Sequence, residues 1–120
     1  MFTLRNACFP EVPAIEVEAA ADLTAMHICI PRHLANQLRL EQRDQREVTI
    51  DDGTTQQVPY VGPLEIRFKN RVGLAGAIIV GNQLVLGAMA MADMDLVVMP
   101  KDRKIDVNPA NPNFACTIVK

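Results

Sequence analysis

The sequence predicts a small, closed, all-β barrel with one or two short helices. Three observations carry this. Short apolar runs, several of them alternating with polar residues, recur along the chain at regular spacing. Turn-forming pairs such as Asp52-Gly53, Asn70-Arg71 and Gly81-Asn82 separate them. Helical patterning is confined to two brief stretches, after Pro31 and after Gly87.

Taken in order, residues 12 to 20 form a half-exposed strand, with Ile15, Val17 and Ala19 on one face and Glu16 and Glu18 on the other. Asp22 to Ala25 turn the chain, and Met26 to Ile30 form a second, more buried strand. Pro31 suits the first turn of a helix that carries Leu34, Leu38 and Leu40 on one side. Glu41 to Glu47 is charged and reads as loop. Val48 to Ile50 resume strand character, Asp51-Asp52-Gly53 is a hairpin turn, and Thr54 to Tyr60 return. Pro59 and Pro63 make the returning strand an edge or an interrupted strand. The hairpin over 48–61 is a natural flap, with Asp52 and Gly53 at its tip.

Leu64, Ile66 and Phe68 alternate with Glu65, Arg67 and Lys69 in a further strand, and Leu74 to Val80 form the next. Leu84-Val85-Leu86 ends in Gly87, and Ala88 to Met94 form one or two helical turns. Asp95 to Met99 and Ile105 to Val107 are strands joined by a turn at 100–104. Residues 109–120 lack periodicity and read as an extended tail.

The 120 residues make one domain, 1–120, large enough for a single core but not for two lobes. A net charge of -2 gives no basic face for nucleic acid or an anionic membrane, and neither is expected as a partner. No apolar run approaches the ~20 residues of a membrane span. The N-terminal residues lack a signal-peptide pattern. Three cysteines without a C-x-x-C pair suit a reduced, cytoplasmic protein. Four Phe, one Tyr and no Trp leave the core to Ile, Leu, Val, Met and Ala.

Within this frame Asp22 stands out, a carboxylate in the nearly apolar run from Val17 to Pro31. A carboxylate among Ala, Leu and Ile must be paired or protonated if it loses water. The bland reading is a turn-forming Asp bound to nearby backbone. His27 and Cys29 share a strand face, but no third ligand accompanies them, so no metal and no cofactor is expected. Cys8, Cys29 and Cys116 read as inert thiols, and the methionines at 89, 91, 94 and 99 as core filling. Asp51, Asp52, Asp93, Asp95 and Asp102 read as solvated carboxylates.

Four pieces of the chain, spanning roughly residues 14 to 108, resemble the retropepsin-like aspartic peptidases, in particular the small bacterial type. They are A-D-L-T-A-M-H-I-C-I-P at 21–31, H-L-A-N-Q-L-R-L at 33–40, the Asp-Gly hairpin through V-P-Y-V-G-P at 58–63, and L-V-L-G-A-M-A-M-A-D-M-D-L-V-V at 84–98. Asp22, Ala25 and Gly87 fall on the family's motifs. The resemblance implies an acid-protease barrel with Asp22 as catalytic residue. A chain with one such motif would need a homodimer, in which two Asp22 carboxylates share a proton and activate water against a peptide or protein substrate.

The sequence departs from the family at Leu23, where the family has Thr or Ser, and at Thr24, where it has Gly. Leu23 cannot make the hydroxyl contact that ties the family's two active-site loops together. Thr24 adds a β-branched side chain where the family's backbone passes closely. The resemblance therefore implies either a peptidase slowed by its altered loop or a non-catalytic dimer that binds peptides or serves as an interaction domain.

Overall fold

The computed structural model describes residues 1–50 and 52–119. Asp51 in the expected hairpin turn and Lys120 in the expected tail lie outside the described residues. The strands are β1 (Phe2–Asn6), β2 (Ile15–Val17), β3 (Ala19–Ala21), β4 (Ile28–Ile30), β5 (Glu41–Thr49), β6 (Thr55–Phe68), β7 (Arg71–Ile79), β8 (Leu84–Leu86), β9 (Leu96–Val98) and β10 (Ile105–Val107). Two short helices, α1 (Arg32–Gln37) and α2 (Ala88–Asp93), interrupt them.

One sheet runs in the order β2-β1-β6-β7-β4-β8-β3, with β5 paired to β6, and β9 and β10 pair separately. The two ends of the main sheet, β2 and β3, are consecutive in the chain with only Glu18 between them. The sheet therefore curls into a nearly closed barrel. Its interior is aliphatic, with Leu4, Ile30, Leu38, Leu64, Leu84 and Leu86 fully buried. Each such side chain contributes about 1.5–3 kcal/mol on leaving water. Phe2 stacks on Phe68 with ring centroids 4.5 Å apart at the end of the core.

Three elements differ most from the sequence reading. Residues 41–47, read as loop, belong to β5, whose register runs from Glu41 opposite Gly62 to Thr49 opposite Thr55. Nearly every side chain of β5 is exposed, so the strand carries no apolar period. β6 is continuous through both prolines. The register of β6 on β7 shifts between Val61 and Leu64, and that irregularity takes in Gly62 and Pro63. Gly62, at φ +152°, has a conformation that a side chain would strain. β1, which the reading did not assign, pairs with β2 and β6. Its alternating Phe2, Leu4 and Asn6 point inward.

Asn6 shows how a buried polar group is satisfied. Its amide nitrogen donates to the carbonyls of Leu38 and Arg39, each at 3.0 Å, while its oxygen accepts from the amides of Cys8 and Phe9. It thereby ties the end of β1 to the exit of α1, where Arg39 turns the chain at φ 54°.

The segment after β10 is fastened to the barrel. Asp95, read as a solvated carboxylate, accepts from the Asn108 side chain at 3.0 Å, the Asn111 side chain at 2.7 Å and the Cys116 amide at 3.1 Å. The buried Arg71 lies 3.9 Å from the same carboxylate and donates to the Asn111 carbonyl. Asn70 donates to the carbonyls of Pro112 and Asn113. Residues 109–119 contain no strand or helix. This polar anchorage, invisible to hydrophobic patterning, holds part of them.

Candidate functional site

β8 runs parallel to β3, with Ala19, Ala20 and Ala21 opposite Leu84, Val85 and Leu86. It also meets β4 on its other side, where Cys29 lies opposite Val85. β3 and β4 are joined by residues 22–27, so this connection must pass over the C-terminal end of β8. Backbone hydrogen bonds fix the crossing. The Asp22 amide donates to the Leu86 carbonyl at 3.0 Å, and the Ala88 and Met89 amides donate to the carbonyls of Ala25 and Met26 at 2.7 and 3.2 Å.

Gly87 sits where the two segments touch. A Cβ there would stand 2.5 Å from the His27 carbonyl oxygen and 2.7 Å from the Met26 carbonyl group. The requirement is for space, since its φ of -83° suits any residue. The structure thus brings Gly87 onto the Asp22 loop.

Asp22 is exposed at the tip of this loop. One carboxylate oxygen accepts from the Thr24 hydroxyl at 2.5 Å and from the Thr24 amide at 3.0 Å. The hydroxyl, then the amide, hold the carboxyl below the usual aspartate range; loss of water opposes them, and the Ala25 amide adds a lesser lowering. Because 23–24 is a turn rather than an extended segment, the Thr24 hydroxyl folds back onto its own loop. Leu23, at the crest of the turn, is 62% exposed. Ala25 is half-buried below it and closes the turn by donating to the Asp22 carbonyl at 3.1 Å.

The flap repeats this local chemistry. The Asp52 carboxylate accepts from the Thr54 amide at 2.9 Å and from the Thr54 hydroxyl at 2.6 Å, across Gly53 at φ +86°. The Thr54 hydroxyl, followed by the amide, lowers the Asp52 pKa in the same way. An Asp-x-Thr closure is therefore ordinary turn chemistry in this chain. What sets Asp22 apart is its location.

Asp22 stands at the edge of an open groove of about 640 Å³. Met26 from the loop and Cys29 from β4 continue its wall, Val48 and Ile50 enter from the end of β5, and Ile78 and Val80 from β7 and beyond. The hairpin of β5 and β6 thus borders the groove at 48–50, just before its turn, while Asp52 and Gly53 in the turn do not line it. Burial raises the pKa of the Cys29 thiol, and the Asp22 charge adds to this. A thiol so disfavoured as thiolate is a poor nucleophile at neutral pH. Among the described residues no group of three or more His, Cys, Asp or Glu side chains is placed to share a metal ion. No described helix is long and apolar enough to cross a membrane.

Tyr60 was not singled out by sequence reasoning. It lies between the flap and the loop, with the Arg46 guanidinium 4.1 Å from its ring centroid and the His27 ring 6.3 Å away, edge-on. The absence of a side chain at Gly76 leaves room for the Tyr60 hydroxyl. A single Tyr placed before Gly-Pro in an expected flap was the only available signal.

No family model matches the sequence, and no curated protein matches it. Fold and site together define a nearly closed β-barrel domain in which an exposed carboxylate, on a loop locked over a neighbouring strand end, borders an apolar groove.

Proposed function

We propose that the chain is one subunit of a homodimeric, retropepsin-like aspartic peptidase whose altered loop slows it. The observation that carries this reading is the interlock of the Asp22 loop with Leu86 and Gly87 at the edge of a groove bordered by a hairpin. Peptide-bond hydrolysis by carboxylates needs a base for water and an acid for the peptide. A lone Asp22, held ionised by Thr24, supplies only the base. A second Asp22 brought close would force the two carboxyls to share one proton, because like charges in contact do not both ionise. Twofold symmetry supplies that partner. The apolar groove suits an extended peptide or protein substrate, with the flap strand offering backbone pairing. The same reading places the protein in a reducing cytoplasm, which suits its free cysteines.

The second reading is a dimer that binds peptides without cutting them or serves as an interaction domain. It is favoured by Leu23, whose exposed apolar side chain offers no hydroxyl to a partner loop, and by Thr24, whose hydroxyl is taken up by Asp22.

Cleavage of a mixed peptide library between about pH 4 and 7 separates the readings. Three proteins are compared: the present sequence, Leu23→Thr with Thr24→Gly, and that double variant carrying Asp22→Asn. The double variant should cut fastest and Asp22→Asn should abolish the cutting. Peptide binding without turnover in all three selects the second reading. Turnover that ignores Asp22→Asn rejects the dyad.

A further inference from the structure

A second cavity, of about 350 Å³, lies beside the groove. Met26 and His27 line both, so this segment forms the wall between them. The far side of the second cavity is built by Leu74 on β7 and Met89 on α2. Met26, Leu74 and Met89 are 60%, 62% and 55% exposed, an apolar rim with nothing packed on it. Exposed thioethers and a leucine around a concave surface are unusual, because large apolar side chains are ordinarily covered when they cluster. Thioethers also adapt their shape to what they cover.

The charge of the cavity is one-sided. Among the described residues Asp93, at the end of α2, is the one carboxylate that lines it, and no Lys or Arg does. Among the described residues no hydrogen bond or ion pair engages the Asp93 side chain. Arg46, which stacks on the cavity-lining Tyr60, lies 3.4 Å from Asp44 and does not itself line the cavity. Apolar walls with one free carboxylate match a side chain that has an aliphatic stem and a cationic tip. Lysine and arginine are built in that way.

We propose that this second cavity takes a lysine or arginine side chain of the peptide held in the neighbouring groove. The stem lies against Met26, Leu74 and Met89, and the cationic tip meets Asp93. As a substrate preference the inference rests on the peptide-binding reading above. The selectivity of the cavity itself can be measured without it.

The test uses the whole chain with methyl-labelled methionine, titrated at pH 7 with N-acetylarginine amide and with its neutral isostere, N-acetylcitrulline amide. The resonances of Met26 and Met89 are identified from Met26→Leu and Met89→Leu. Arginine should shift both, citrulline should bind about threefold more weakly, as expected for a partly exposed charge pair, and Asp93→Asn should remove the difference. Equal binding of the two probes, or no shift at Met26 and Met89, overturns the proposal. The second arm measures binding of extended peptides, with arginine or citrulline at one position, to the Asp22→Asn protein. Peptides bound with no preference for arginine at any position overturn the inference and leave the peptide-binding reading standing. Discrimination between the small probes with no peptide bound or cut upholds the cavity and removes the peptide reading.

Discussion

Gly87 and His27 meet backbone to backbone, and a single added carbon at Gly87 would stand 2.5 Å from the His27 carbonyl oxygen. The neighbour is main chain, and the adjoining Met26 carbonyl is held by the Met89 amide, so it cannot swing aside as a side chain could. Gly87→Ala should therefore push the Asp22 loop off β8. Overpacking of this kind costs about 1–3 kcal/mol. Thermal unfolding should show a lower Tm, and amide shifts at 22–27 should move more than those of β6. An unchanged Tm and unchanged loop shifts would show that the crossing has slack.

Thr24 holds Asp22 ionised through its hydroxyl first and its amide second. Thr24→Val keeps the shape and the amide but removes the hydroxyl, so the Asp22 pKa should rise. For a carboxyl whose folded pKa is depressed, the stabilisation is present above the unfolded value of about 3.9 and is lost as pH falls through the folded value. The variant should lose that acid-side dependence in part. Carbon-detected titration of the Asp22 carboxyl reads the shift, and an unmoved titration would mean that the hydroxyl faces elsewhere in solution.

The flap is the next measurable element. β5 is exposed along almost its whole length and pairs only with β6. Amides near the tip, at 52–54, should exchange quickly with solvent, while those of β6 and β7 between Leu64 and Ala77, locked between neighbours, should exchange slowly. Uniform protection from β5 through β7 would contradict a mobile flap.

How much of this was legible in the sequence depends on the physical signal each part leaves. Alternation exposed the strands at 64–68 and 74–80 because one face of each is buried. The Asp-Gly pair exposed the hairpin because Gly53 alone takes its positive φ without strain. β5 was missed over Glu41 to Glu47 because a strand exposed on both faces has no apolar period. The interlock at Gly87 is a contact between residues far apart in sequence. Neither alternation nor turn chemistry reports a contact of that kind. Asp95 was read as solvated because its partners, Asn108, Asn111 and Cys116, sit in a segment without periodicity. Their amide and backbone donors cannot be foreseen from an apolar pattern.

Asp95 gives the last prediction. Its carboxylate gathers the Asn108 side chain, the Cys116 amide and the Asn111 side chain, and it is the acidic group beside the buried Arg71. Those donors, Asn108 foremost, lower its pKa, and the Arg71 charge adds to them. Asp95→Asn preserves the volume, removes the negative charge and replaces one acceptor oxygen by a donor. Arg71, whose Nε and Nη1 have no hydrogen-bond partner among the described residues, would then lose the counter-charge that stands 3.9 Å away. Breaking a buried charge arrangement from one side is destabilising because the remaining ion stays desolvated. Tm at neutral pH should fall, and residues 108–119 should be cut sooner by a non-specific protease than the barrel. The sign of the pH dependence follows from the depressed pKa. The carboxylate's contribution is intact above about pH 4 and disappears as pH drops through the lower, folded value. The gap in Tm between the two proteins should accordingly be widest at neutral pH and close towards acid. A constant gap at all pH values would assign the loss to packing rather than charge. No gap, with the segment as resistant to protease as before, would mean that Asn70 and Arg71 hold it without Asp95.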